Sequence, residues 1–202
     1  YVNDLAFRGS VGIFQGMTVN FIYVLFRVVV GIRYASVWFI SMAVYYLVLG
    51  VLRLLLILSY YHRTEIDGLR CYRRTARLLL LLNIPMGGII ILMILTNSGY
   101  SYPGYVIYLS AMYTFYTVID SAINLVRFRR LGSPILSAAK VLNFIAALMS
   151  VLGLQTAMIA QFGTEDDRFR KLINAVTGGT VWFSVIFIAA YMLHRGKILK
   201  MR

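Results

Sequence analysis

The segment YTFYTVIDSAINLVRFRR (113–130) contains Asp120, the only carboxylate inside any long apolar stretch of the 202-residue chain. A carboxylate in hydrocarbon costs several kcal/mol, so it calls for a partner, a water-lined path or a proton-handling role. At a rise of 1.5 Å per residue, Arg53 and Asp120 lie about 24 Å below the outer ends of their segments, and Asn20 and Asn83 about 20 Å. Asn124 follows Asp120 by one turn on the same face, and Asn143 lies near the inner end of its own segment. Asp120, Arg53, Asn20, Asn83, Asn124 and Asn143 therefore form one polar level, in which Arg53 is the cation expected to meet Asp120. Two readings stay open for this level. It is either the floor or gate of a solute path, or an interhelical clamp in which each amide contact contributes about 1 kcal/mol.

Arg27 is the other cation inside an apolar stretch, about one and a half turns below the outer loop, and its long stem is expected to carry the charge outward to water. Turned inward, it would give the outer half of a cavity an attraction for anions, with Gln155, Gln161, Gly178 and Gly179 at the same level. The stripe Tyr105, Tyr108 and Tyr116, with Tyr45 and Tyr46 in mid-segment, offers aromatic lining or ordinary packing.

Other chemistry is sparse. H-E-x-x-H, G-x-S-x-G and G-x-x-x-x-G-K-[ST] do not occur in the sequence. His62 and His194 fall at segment ends, where a surface role is expected, and Cys71 is alone, which rules out an internal disulfide framework. The expectation is therefore no enzyme, no cofactor and no metal site.

The elements that must position these residues follow from composition. The chain is 60% hydrophobic with a mean hydropathy of +0.78. Its 13% of charged residues is about half the share usual in a soluble domain, which points to a bilayer protein. Spanning the hydrocarbon takes about 20 apolar residues. Six stretches qualify: Gly9–Gly31, Val37–Tyr60, Ala76–Thr96, Gly104–Val126, Pro134–Gln161 and Phe169–His194. NSGYSYPG (97–104) reads as a tight turn, Ser133–Pro134 as a helix start, and Gly163–Thr164 as a stop followed by a cap, with Asp167 in the capping box. Trp38 and Trp182 are assigned to the outer interface. The first residue is Tyr1, so a preceding segment is expected.

The net charge of +13 would suit nucleic acid in a soluble protein, but here the cations sit between apolar runs. Arg70, Arg73, Arg74, Arg129, Arg130 and Lys197 all fall on one side, so both termini are expected in the cytoplasm, with anionic lipid at that face. No nucleic-acid partner is expected. A homo-oligomer, a membrane-protein partner and an unidentified small ligand remain open.

The strings SVWFISMAVYY, GYVIYLSAMYTFY and TVWFSVIFIAAY, with NFIYVLF, NIPMGGI and NFIAALM, suggest a repeat of about 70 residues. The expected fold is all-α, a single domain of six transmembrane helices arranged as three hairpins (9–60, 76–126 and 134–194), with a pseudo-threefold repeat as one arrangement. Pro85 predicts a kink in the third.

SYPGYVIYLSAMYTFYTVIDSAINLVRFRR, SPILSAAKVLNF and VWFISMAVYYLVLGVLRLLL resemble a group of six-span membrane proteins of Gram-positive bacteria. The resemblance implies the bacterial cytoplasmic membrane and carries no activity with it. The leading expectation is a small transporter or channel-like protein. Alternatives are a structural or regulatory membrane subunit and the substrate-capturing subunit of a modular vitamin importer.

Overall fold

The computed structural model describes residues 2–61, 65–96, 104–127, 134–162 and 166–201. They form six α-helices: α1 (Val2–Arg33), α2 (Val37–Tyr61), α3 (Glu65–Thr96), α4 (Gly104–Arg127), α5 (Pro134–Phe162) and α6 (Asp167–Met201). Each is long and apolar enough to cross a bilayer, so this is an all-helical, multi-pass membrane protein. The expected turn at 97–104, Ser133 and the Gly163–Thr164 stop and cap lie largely or wholly outside the described residues, as do His62, Arg129 and Arg130. Helix α6 begins after Asp166, whose carbonyl accepts from the Phe169 and Arg170 amides. Helix α3 runs unbroken through Pro85.

The α1–α2 turn is closed by local chemistry. The Ser36 amide donates to the Gly31 carbonyl (2.9 Å) and the Ala35 amide to that of Ile32 (3.3 Å), with Ala35 left-handed at φ 48°. This is a Schellman end with alanine where glycine is usual. Gly31 lets α2 approach, since a Cβ there would sit 2.7 Å from Ile40 Cγ1.

Packing differs from three equivalent hairpins. The extensive pairs are α1 with α2, α4 with α5, and α3 with α6, while α3 and α4 do not meet among the described residues. The α3–α6 pair closes because glycines alternate across it. A Cβ on Gly178 would lie 2.6 Å from Ile90, one on Gly87 2.9 Å from the Trp182 indole, and one on Gly196 2.8 Å from Arg73. Helix α5 touches all five others. Its buried surface mixes large side chains, Ile135, Leu142, Ile145 and Met149, with small ones, Ala138, Ala139, Ala146, Ala147, Ser150 and Ala157, and the small ones allow backbones to come close.

Helices α3 and α6 have 32 and 35 residues, about 48 and 52 Å long, well over the ~30 Å of hydrocarbon. At the end that bears Arg70, Arg73, Arg74, Arg195 and Lys197 the two stay paired, with Gly196 against the Arg73 side chain.

Candidate functional site

Two buried stripes carry the site. On α1, Gly16, Asn20, Tyr23 and Arg27 recur at intervals of four, three and four. On α2, Phe39, Met42, Tyr46, Leu49, Arg53 and Leu56 recur at three and four throughout, and all are buried. Such spacing keeps one face toward a neighbouring helix; α1 meets α2, α4 and α5, and α2 meets α1, α3 and α5.

Arg27 does not reach outward to water, as its place in the sequence suggests. It is 1% exposed. A helical side chain leans toward its own N-terminus, and in α1 that direction leads away from the 33–37 turn and into the bundle. Its Nη2 donates to the Tyr23 hydroxyl at 2.6 Å. Its guanidinium carbon lies 4.8, 5.1 and 5.4 Å from the ring centres of Tyr23, Phe39 and Tyr46. On the fourth side Gly153 of α5 leaves room, because a Cβ there would meet Nη2 at 2.7 Å. Nε and Nη1 are buried and have no hydrogen-bond partner among the described residues.

Beneath this box Tyr23 stacks on Tyr113 of α4, with centroids 3.5 Å apart and planes 9° from parallel, and Tyr46 meets both edge-on. Tyr113 donates to Asn20 Oδ1 (2.8 Å), and Asn20 Nδ2 donates to the Tyr46 carbonyl (3.0 Å). Asn20 is thereby tied to both α2 and α4. Tyr46 donates in turn to the Ala146 carbonyl of α5 (3.4 Å).

Arg53 comes next, 3% exposed. It does not bond Asp120. Nη1 donates to the Gly16 carbonyl (3.3 Å) and Nη2 to the Leu142 carbonyl (3.2 Å), and Nε has no partner among the described residues. Asp120 is half-buried and receives the Asn143 amide at 3.1 Å and a further bond from Asn124. The expected ion pair is thus replaced by amides around the carboxylate and carbonyls around the guanidinium. The two charges still attract across the gap. Shared depth did not make them bond partners, because the guanidinium is taken by the Gly16 and Leu142 carbonyls and the carboxylate by Asn143 and Asn124.

The remaining candidates separate. Asn83 belongs to the α3–α6 seam, where Nδ2 donates to the Trp182 carbonyl (3.4 Å) and the Trp182 indole donates to the Asn83 carbonyl (3.0 Å). Trp182 is therefore a mid-helix clamp instead of an interfacial anchor. Gln155 donates to Thr177 (3.0 Å) and joins α5 to α6. Gly178 is a packing contact, and Gly179 faces open space. Gln161 is exposed.

Tyr105 and Tyr108 point away from the bundle, at 54% and 72% exposed, while Tyr113 points in. The inward face of α4 is a hydroxyl stripe, Ser110, Thr114, Thr117 and Ser121, which sequence reading passed over. Its four–three–four spacing was the available signal. Thr114 donates to the Ser150 carbonyl (3.1 Å), and Thr117 pairs with the Ser150 hydroxyl (3.0 Å).

A groove of about 350 Å³ lies between α1 and α2, lined by Met17, Phe21, Leu47 and Leu54 with Asn20 and Gly50 among its other residues. Much of its lining is exposed and apolar, so it opens toward acyl chains. Among the described residues no group of three His, Cys, Asp or Glu side chains is placed to hold a metal. The α1–α2–α4–α5 interior can bind charge and donate hydrogen bonds, and among the described residues it holds no nucleophile beside a base. Comparison with family models, curated proteins and solved structures finds no match to this chain.

Proposed function

We propose that this integral membrane protein is a small transporter or channel-like protein, closed in this conformation, whose solute path runs inside α1, α2, α4 and α5. One observation carries the reading: Arg27 and Arg53 are both buried in that interior, and the nearest carboxylate, Asp120, bonds neither. Two buried guanidinium ions that no carboxylate bonds among the described residues are costly in a bilayer, and packing alone would be served as well by leucine or methionine. Ionisable groups inside a membrane mark solute and ion pathways more often than structural fillers. On this reading Asp120, half-exposed and held by two asparagines, is the gate at the inner third. Both termini lie in the cytoplasm, and the basic ends of α3 and α6 rest on anionic lipid. The resemblance to six-span proteins of Gram-positive bacteria supports a bacterial cytoplasmic membrane as its location.

A second reading has its own support. Asn20, Asn83 and Asn143 are all engaged in direct bonds between helices, the pattern of a rigid structural or partner-binding subunit. Reconstitution into liposomes separates the two. A transporter gives protein-dependent flux of at least one member of a panel of small ions and solutes, reduced by Asp120→Asn or Arg53→Gln in folded protein. Absence of flux across the panel, with the protein monodisperse and correctly inserted, favours the subunit.

A further inference from the structure

The guanidinium of Arg27 has five N–H groups, and the structure accounts for one of them, the bond to Tyr23. The rings of Tyr23, Phe39 and Tyr46 stabilise its charge, but an aromatic face is a poor substitute for an acceptor in the guanidinium plane. Nε and Nη1 are left buried and unpartnered among the described residues. Asp120, the one carboxylate of the membrane interior, lies roughly 15 Å deeper than Arg27 by helix rise and is already bonded by Asn143 and Asn124. The box therefore has one positive charge, free donors, apolar and aromatic walls, and no internal anion among the described residues.

We propose that the Arg27 box, formed by Tyr23, Phe39, Tyr46 and Gly153, binds a small monovalent anion of halide or nitrate size. One guanidinium matches one negative charge. The close packing of Phe39, Met42 and Tyr46, all buried, limits the size. Gly153 is the wall that keeps the guanidinium in place, since any side chain there would meet Nη2. As the identity of a carried solute this rests on the transport reading above, whereas as a binding site it stands by itself.

The test uses the purified full chain in detergent at constant ionic strength, with sodium chloride replacing sodium gluconate, whose anion is too bulky for the box. Chloride at saturation is expected to raise the thermal unfolding midpoint of the wild type by about 3 °C. Arg27→Gln is expected to abolish that rise. Gly153→Ala, which keeps the charge but displaces the guanidinium, should weaken apparent chloride affinity about tenfold, and it serves if Arg27→Gln does not fold. No chloride-dependent rise in the wild type overturns the proposal. So does an equal rise in Arg27→Gln or Gly153→Ala, which would assign the effect to the basic helix ends.

Chloride flux into proteoliposomes is read in parallel. A site lost in Arg27→Gln, with no chloride flux in the wild type, supports the site and removes chloride as the carried solute. Chloride flux unchanged in folded Arg27→Gln keeps transport and overturns the box as the site through which chloride is carried.

Discussion

The bond from Tyr113 to Asn20 offers a clean measurement of what holds α1 to α4. Tyr113→Phe removes the hydroxyl and leaves the ring stacked on Tyr23, so the hydrogen bond changes and the packing does not. The loss orphans Asn20 Oδ1, while Asn20 Nδ2 keeps its bond to the Tyr46 carbonyl. Two magnitudes compete. Side-chain hydrogen bonds between membrane helices average about 0.6 kcal/mol and reach about 1.7, whereas orphaning a buried acceptor costs about 1–3 kcal/mol. Asn20 is 2% exposed, with Gly50 against its amide, which leaves its oxygen little access to water. The upper part of the membrane range applies, and Tyr113→Phe should cost about 1.5 kcal/mol. Asn20→Leu is close in volume and removes the acceptor, so the double variant should be less destabilised than the sum by about 1 kcal/mol. Reversible unfolding in mixed micelles, followed for all four proteins of the cycle, gives the coupling directly. A coupling under about 0.3 kcal/mol would refute the claim that this bond, and not the ring stack, fastens the two helices.

Ala35→Gly should stabilise the protein by about 1 kcal/mol in the same assay, because glycine relieves the left-handed backbone of the α1–α2 turn. Gly178→Ala should destabilise it by about 1–3 kcal/mol, and Ile90→Ala should recover part of that loss, because the new Cβ would collide with the Ile90 side chain. Asp120→Asn should lower stability by no more than about 1 kcal/mol, since the amide oxygen can still accept from Asn143. A large loss of folded protein would instead mark the carboxylate charge as the element that balances Arg53.

The six crossings were legible because an apolar run of about twenty residues matches the thickness of the hydrocarbon, and few soluble helices need one. The 33–37 turn and the start of α4 at Gly104 followed from the breaks between such runs. Depth was legible too, since rise along a helix is a simple count. Rotation about the axis was legible only within single segments, as for Asp120 with Asn124 and the Tyr105, Tyr108 and Tyr116 stripe, and not from one segment to the next. Asp120 and Arg53 share a level but bond different groups, and Tyr105 and Tyr108 face outward where Tyr113, one turn from Tyr116, faces in. The stripes of three-and-four spacing on α1 and α2 hold that missing information, and they place Arg27 on the same face as Asn20. Helix pairing was hidden for a different reason. Short loops favour neighbours in sequence, yet α3 turns to α6, because their glycines and large side chains interlock at three successive points.

The central position of α5 has a consequence for biogenesis. Chains are threaded into the membrane from the N-terminus, so α1 and α2 enter with Arg27 and Arg53 before either the Gly153 wall or the Leu142 carbonyl has been synthesised. Through that interval both cations must shelter against the insertion machinery, lipid headgroups or each other's helices. Helix α3 waits longer still, for a partner that is the last of the six to be made. Truncation anywhere before α5 therefore leaves a set of spans with no common centre, and quality control should clear such fragments quickly.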